Sequence, residues 1–494
     1  LFQMITEGLE ILLLLLYGLC LLFIFCYSLL QLNLTVLFLR SRKSAGKAFY
    51  PPPAEWPAVT VQLPIYNERF VVERLLEAVT ALEFPREKLQ IQVLDDSTDE
   101  TVEIVAQKVA AYQAQGINIS QVRRRNREGY KAGALKYGLY QATGEFIAIF
   151  DADFVPEPDF LKQTIPAFHK PEIGVVQTRW GHLNEESSLL TRLQAFGLDA
   201  HFSIEQSGRN FGGHFINFNG TAGVWRRQCI ESAGGWESDT LTEDLDLSYR
   251  AQLKGWEFLY LENKVVPAEL PADLPALKSQ QYRWTKGAAE TSRKHFKKLW
   301  QASIPAATRW HGLFHLLNSS VFISLFLASL LSLPLLFLQT NSESSAFILR
   351  STGIFLTGFL LLSVYYFVSF RFAQPALPKR VFLFRFPLFL SVSMGLSLHN
   401  ALAVSQGFLG LKTPFVRTPK YSLTGISGSW KTNPYRLSGL SLITLLEGML
   451  AIAFWFSVFY GLMHEQYRFL FFHGMLAVGY SLVFYYSLRH SFTR

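Results

Sequence analysis

Four short polar signatures stand in a fixed order in one stretch of this 494-residue chain: Asp95-Asp96, Asp151-Ala152-Asp153, Thr242-Glu243-Asp244 and Gln280-Gln281-Tyr282-Arg283-Trp284. By residue type they offer carboxylates for a divalent cation, a carboxylate able to take a proton, a guanidinium fork for a diphosphate and an indole face for a sugar ring. Asp153 is expected to hold Mg²⁺ or Mn²⁺, with Asp151 sharing the cation or reaching the donor. Asp95 and Asp96 directly follow the apolar run Ile91-Gln92-Val93-Leu94 and suit recognition of a nucleobase or ribose, while Ser97 to Glu100 read as a turn and helix cap. Thr242-Glu243-Asp244 opens a helix, where acidic residues also favour the helix dipole. The sharper reading makes Asp244, with Glu243 beside it, the base that takes the proton of an acceptor hydroxyl. Gln281 and Arg283 would meet the diphosphate and Trp284 the acceptor ring; Lys131, at a helix start within Gly129-Tyr130-Lys131-Ala132-Gly133, is a second phosphate ligand. Together these groups read as the parts needed to move a sugar from a nucleoside diphosphate to a hydroxyl.

The rest of the chain must position them, and its composition says where. It is 50% hydrophobic, 15% aromatic and only 17% charged, too apolar for one ordinary soluble domain. The net charge of +8 sits beside apolar runs, in Arg40-Ser41-Arg42-Lys43, Arg293 to Lys298 and Arg489, which is the positive-inside signal and not a nucleic-acid surface. Cys20, Cys26 and Cys229 form neither a zinc pattern nor a disulfide framework, consistent with a reducing compartment. The run Leu9–Leu39 is longer than the apolar core of about 7–15 residues in a signal peptide, so it reads as a retained span. Leu313–Leu338, Ala346–Phe370, Leu440–Leu462 and Phe469–Leu488 are also long enough to cross a bilayer core of about 30 Å. Phe382–Leu411 is apolar but flanked by cations on both sides and carries His399, Asn400 and Gln406, which suits an interfacial helix or a re-entrant pair. Five spans place the amino terminus and the loop Gln339–Ser345 outside, and the polar domain and carboxy terminus on the cytosolic side.

Between the first two spans, strand-like runs at Val59–Pro64, Leu89–Leu94, Ile117–Val122, Glu145–Phe150 and Ile173–Gln177 alternate with helical patterns at Glu68–Leu82, Asp99–Gln115, Ala132–Gln141 and Asp159–Phe168. This predicts an α/β domain with a mostly parallel sheet, whose ligands collect beyond the carboxyl ends of the strands. Tyr66 and Glu68, Asp95 and Asp96, and Asp151 to Asp153 each follow such an end, so three strands deliver polar residues to one donor-binding rim. Neither a G-x-x-x-x-G-K-[ST] loop nor a G-x-G-x-x-G turn after the first strand occurs, which removes the usual handles for ATP hydrolysis and nicotinamide chemistry.

The series D, D-x-D, T-E-D, Q-x-x-R-W resembles that of the processive inverting family-2 glycosyltransferases, the cellulose synthase superfamily. The chain is most similar to the plant cellulose-synthase-like A and C groups through Gln92–Asp99, Gly129–Leu135, Asn219–Arg226 and Leu253-Lys254-Gly255-Trp256. The resemblance covers about Val59 to Gly287 strongly and the membrane part in outline. It implies a GT-A fold, a metal-bound donor such as UDP-glucose or GDP-mannose, Asp244 as base, and Arg283 and Trp284 at the diphosphate and acceptor end. Phe415-Val416-Arg417-Thr418-Pro419-Lys420 resembles the family's F-x-V-T-x-K gating loop, which implies that Thr418 and Lys420 touch the diphosphate. Two departures stand out: Arg417 replaces the usual Val of that loop, and Tyr282 stands where plant mannan synthases carry His. Neither a cysteine-rich zinc module nor a cyclic-nucleotide-sensing domain is recognisable in the sequence, so regulation through them is not implied.

The expected organisation is a transmembrane helix at 1–40, a cytosolic GT-A domain at 41–274, interfacial helices with Q-x-x-R-W at 275–311, two transmembrane helices at 312–371, an interfacial or re-entrant segment with the gating loop at 372–437, and two transmembrane helices at 438–494. The expected activity is the extension of a β-linked hexose polymer, a β-1,4 mannan, glucomannan or glucan, with inversion and passage through the spans. The alternative is a non-processive glycolipid synthase of the ceramide glucosyltransferase type. The expected partners are the nucleotide-sugar, a polysaccharide acceptor and the lipid membrane, with no nucleic acid.

Overall fold

The computed structural model describes residues 2–44, 50–337, 342–423, 435, 439 and 441–492. Seven strands, β1 (Val59–Ile65), β2 (Leu89–Asp95), β3 (Ile119–Val122), β4 (Phe146–Ile149), β5 (Ile173–His182), β6 (Gly223–Arg226) and β7 (Glu257–Ala268), form one sheet in the order β3-β2-β1-β4-β6-β5-β7. All pairings are parallel except those of β6, which runs antiparallel to both β4 and β5. This reversal matters for the site: the parallel strands end at one rim, and β6 begins there, so the segment Asn219-Gly220-Thr221 preceding it joins the same rim.

Side-chain alternation sends successive residues to opposite faces. Val59, Val61, Leu63 and Ile65 of β1 pack with Ile91, Val93 and Phe150 under helices Val72–Thr80 and Thr101–Ala114. Leu94, Ile147, Ile149 and Trp225 pack on the other face under helices Tyr130–Gln141 and Glu243–Leu253. Gln62 and Gln92, buried on neighbouring strands, are tied by one hydrogen bond, Gln62 Nε2 donating to Gln92 Oε1 at 2.9 Å. A sheet covered on both faces and rooted this way is a rigid platform for loops at its rim.

Five helices among the described residues are long and apolar enough to cross a membrane: Gly8–Lys43, Ser320–Phe337, Gly353–Ala373, Leu442–Met463 and Tyr467–Ser491. Their outward faces carry side chains such as Leu15, Leu19, Ile452 and Phe456. A further pair, Lys379–Gly395 and Ser397–Leu409, is bent by 51° at a short break and would make a sixth crossing if it spans as one. The single run expected at Leu313–Leu338 is instead two helices, Ala306–Leu316 and Ser320–Phe337. The first of these packs on the polar domain: Tyr249 donates from its hydroxyl to Gly312 O at 3.0 Å and lies 2.9 Å from His315 Nδ1. Of the expected external loop Gln339–Ser345, residues 339–341 lie outside the described residues and 342–345 are instead the first turn of helix Ser342–Ala373; the part of the 372–437 segment beyond 423 lies largely outside the described residues.

One helix, Leu274–Gln301, joins the two halves. Its cationic side chains do not simply lie on a lipid surface: Lys278, Lys286 and His295 are buried. Lys278 Nζ donates to Glu447 Oε2 at 2.5 Å and Ser487 Oγ at 2.9 Å, tying the helix to two spans. His295 Nε2 lies 2.7 Å from Asp246 Oδ1, tying the same helix to Glu243–Leu253. The helix therefore fixes Arg283 and Trp284 relative to Asp244 and to the membrane part.

Candidate active site

Tyr66, Glu68, Asp96, Lys131, Asp151, Asp153, Glu243, Asp244, Arg283, Trp284, Thr418 and Lys420, spread over 355 positions between the first and last, line one cavity of about 210 Å³ at the rim of the sheet. Two expected residues do not. Asp95 is fully buried as the last residue of β2; its Oδ1 accepts from Ser97 N at 2.9 Å and its Oδ2 from Gln121 Nε2 at 2.7 Å, so it builds the turn that presents Asp96. Gln281 lines a second cavity instead, whereas Gln280 reaches the first. The helical period explains this, because Gln280 shares a face with Arg283 and Trp284 at spacings of three and four, and Gln281 is rotated away.

The cavity is a set of opposed charges. Lys131 Nζ donates to Asp151 Oδ1 at 2.5 Å and to Gly220 O at 2.9 Å, and lies 4.0 Å from Glu243 Oε1. Burial alone would lower the Lys131 pKa, but Asp151, Glu243 and Asp244 outweigh it and hold the ammonium above its usual range. Burial, reinforced by the neighbouring Glu243 charge, pushes Asp244 up to about 7, near the pH at which a general base works best. Burial also raises Glu243, with Lys131 opposing the rise.

Close approach at Asp244 depends on Gly220. Its φ is +79°, and a Cβ there would stand 3.0 Å from Asp244 Oδ2 and 3.4 Å from Lys131 Nζ. Backbone strain concentrates at the same rim. Of the five non-glycine residues with positive φ among the described residues, Asn67, Tyr130 and Ala222 sit beside Tyr66 and Glu68, Lys131, and Gly220 respectively. Such conformations persist where the surroundings over-determine them, as at functional sites.

The segment after Ser397–Leu409 closes the cavity. Thr418 Oγ1 accepts from Arg283 at 2.7 Å, and Phe415 lies under the Arg283 guanidinium, 4.9 Å from it, and stacks on Tyr130 at 5.2 Å. Lys420 Nζ donates to Asp153 Oδ2 at 2.7 Å, and the same oxygen accepts from Glu269 N at 3.1 Å. Arg417 forks onto Glu68, Nε to Oε1 at 2.9 Å and Nη2 to Oε2 at 2.7 Å, and also donates to Asn67 O. Burial raises Glu68 to about 7 even though Arg417 and Lys420 pull it down. Asp96 is held by a fork from Arg124 at 2.7 and 2.5 Å, and the Arg127 guanidinium covers the Tyr66 ring at 3.3 Å.

Sequence reasoning missed Glu269, Arg127, Asn219 and Trp180, all of which line the cavity. Glu269 directly follows β7, a strand not read from the sequence; Asn219 lies in a string used only for resemblance. Among the described residues, Glu237, Asp239 and Asp246 form the one carboxylate group close enough to share an ion, but Lys294 contacts all three at 2.6–2.9 Å and Arg250 and His295 complete the pairing of Asp246. That cluster is an ion-pair network away from the cavity.

The second cavity, of about 330 Å³, lies among the apolar helices and shares Leu198, Gln280 and Trp284 with the first. Its walls are mainly aliphatic and aromatic, with Leu193, Leu325, Tyr27 and Tyr366 among them, and a few amides such as Asn318 and Asn400.

Residues 57–287 match the family described as Glycosyltransferase like family 2. The chain is 46% identical over 284 residues to a probable glucomannan 4-beta-mannosyltransferase 2 of Oryza sativa subsp. japonica, covering 56% of this chain and 48% of that protein. It is 48% identical over 246 residues to a glucomannan 4-beta-mannosyltransferase 2 of Arabidopsis thaliana, covering 49% and 46%. The match thus spans about half the length of these relatives. The fold is similar to that of a mannosyltransferase from Pyrobaculum calidifontis solved in complex with GDP-Man and Mn²⁺, with a TM-score of 0.54 and 18% identity over 79% of this chain and 99% of that one. The rim of charged groups described above thus stands in a GT-A fold, and its residues from Tyr66 to Trp284 lie within the span, 57–287, that matches the glycosyltransferase family 2 model.

Proposed function

We propose that the chain is a membrane-embedded, processive, inverting hexosyltransferase that extends a β-1,4-linked mannan, glucomannan or glucan, with its catalytic cavity on the cytosolic side. GDP-mannose is favoured over UDP-glucose as donor, because the plant relatives are named as mannosyltransferases and the archaeal neighbour was solved with GDP-Man. The observation that carries the reading is the meeting of Asp153, Asp244, Arg283 and Trp284 around one cavity whose wall, at Trp284, continues into a cavity among the apolar helices.

A divalent cation fits the donor set. Asp151 and Asp153 offer hard carboxylate oxygens, and a cationic group, the Lys420 ammonium, already lies on Asp153. Bound there, Mg²⁺ or Mn²⁺ would neutralise diphosphate charge and ease its departure. The chain's own groups do the rest. Arg283 and Lys131 face the departing diphosphate, and Tyr66 and Asp96 stand where the nucleoside would rest. Asp244 takes the acceptor's hydroxyl proton as that oxygen bonds to the anomeric carbon; the bond to the diphosphate breaks on the opposite side and the leaving group keeps the electron pair. Glu243 faces Lys131, so no second carboxylate is set aside as a nucleophile, and one displacement converts an α-linked donor to a β-linked product. Trp284 offers a flat apolar face to the sugar at the chain end, and the segment 415–420 covers the donor and keeps water out.

The test uses the full chain in lipid nanodiscs with GDP-mannose or UDP-glucose and Mn²⁺ or Mg²⁺. The expected product is long and cut by a β-1,4-specific mannanase or glucanase. Lipid-soluble single-sugar products alone would transfer the assignment to the glycolipid synthase, a reading that the shared wall at Trp284 does not favour.

A further inference from the structure

Three cationic side chains in the cavity each sit on a carboxylate: Lys131 on Asp151, Lys420 on Asp153 and Arg417 on Glu68. They differ in what carries them. Lys131 belongs to the fixed α/β platform and is also held by Gly220 O. Lys420 and Arg417 belong to the segment Leu411–Leu423, which has no helix or strand of its own. That segment is gripped at its start by Lys286, whose Nζ donates to Leu411 O at 2.6 Å and Thr413 Oγ1 at 2.5 Å, and at its middle by Arg283 through Thr418.

Asp153 is only 3% exposed, and a carboxylate that deep needs a counter-charge. Lys420 supplies it, 2.7 Å from Oδ2. Mg²⁺ or Mn²⁺ would need oxygens at about 2.0–2.2 Å. A divalent ion at that distance and an ammonium on the same oxygen would stand within a few ångströms of each other, in a cavity where water screens little. The two therefore compete for that oxygen.

We infer that Lys420 is a lid-borne stand-in for the metal, so that the divalent cation gains Asp153 only when a nucleoside diphosphate draws Lys420 onto its phosphates, and metal and nucleotide bind as a coupled pair. Arg417 adds the second half of the latch by forking onto Glu68 beside β1. This inference rests on the metal-dependent donor site proposed above. By linkage the coupling is reciprocal: the factor by which nucleotide improves metal affinity equals the factor by which metal improves nucleotide affinity.

The experiment titrates Mn²⁺ into the full chain in nanodiscs and reads free Mn²⁺ by electron paramagnetic resonance, alone and with saturating GDP or UDP. Wild type should bind Mn²⁺ at least tenfold more tightly with the nucleotide. Lys420→Met should raise nucleotide-free Mn²⁺ affinity at least fivefold and shrink the coupling by the same factor, whereas Lys420→Arg should preserve it. A lysine that only touches the diphosphate would leave the nucleotide-free Mn²⁺ affinity unmoved. Asp153→Asn should remove the Mn²⁺ site in both states. Wild-type Mn²⁺ affinity equal within twofold with and without a bound nucleotide overturns the inference, and needs no variant. Failure of both nucleotides to bind with any divalent cation would instead overturn the donor-site reading itself.

Discussion

Asp244→Asn isolates the proton transfer from everything else the cavity does. Asn keeps the shape and the Oδ1 acceptor that receives Leu245 N at 2.9 Å, so the start of helix Glu243–Leu253 should stay intact. With burial and Glu243 raising Asp244 to about 7, the neutral side chain is readily reached near neutral pH. Asn reproduces that neutral form. Binding of GDP or UDP with Mn²⁺ should thus change by less than about threefold, and tighten if anything, since one negative charge near Lys131 is removed. Loss of a general base costs about 10²–10⁴ in rate. At 1.36 kcal/mol per tenfold this is about 2.7–5.4 kcal/mol of transition-state stabilisation. The sign with pH follows from the base role: the reaction requires the carboxylate, so wild-type kcat/KM should fall toward tenfold per unit as pH drops below about 7 and level off above it. The residual Asn rate should be flat over the same range. The assay is initial-rate incorporation of labelled mannose or glucose, at donor well below KM and at saturating donor, from pH 5.5 to 8.5, paired with nucleotide binding by calorimetry. Turnover within tenfold of wild type, or a wild-type profile flat through pH 7, would refute the assignment of Asp244.

Two further outcomes separate neighbouring residues. Asp95→Ala leaves the Ser97 N–H unpaired in the interior and the Gln121 amide with only its bond to Val102 O, and should lower stability by about 1–3 kcal/mol, read as a fall in thermal midpoint, while Asp96→Ala should chiefly raise the donor KM. Glu447→Gln should destabilise by about 3–5 kcal/mol because it strands the buried Lys278 ammonium, whereas the double change Lys278→Met with Glu447→Leu should recover most of that loss in the same melting assay.

What the sequence made legible were the places where local pattern and rim position coincide. The buried run Phe146–Ile149 forces Asp151 out at a strand end, and the acidic start of helix Glu243–Leu253 sets Asp244 one turn from solid packing. Where the reading slipped, the cause is geometric. Strand β2 runs one residue further than its apolar run, to Asp95, so the inward and outward members of the acidic pair cannot be told apart from composition. Gln280 and Gln281 are chemically identical, and only the rotation of helix Leu274–Gln301 decides which meets the cavity. Strand β7 interrupts its apolar residues with Glu262, Asn263 and Lys264, a polar break that hides a strand and with it Glu269. Arg417 was visible as a departure, but its partner Glu68 lies 349 positions away, and no local spacing rule reaches that far.

The left-handed backbone at Asn67, Tyr130 and Ala222 has an evolutionary consequence. Glycine at any of the three would relax the backbone locally while loosening the wall that aims Glu68, Lys131 or Gly220. Robustness and turnover are therefore pulled in opposite directions at these positions, and a lineage selected only for a tougher protein would be expected to blunt its own chemistry there first.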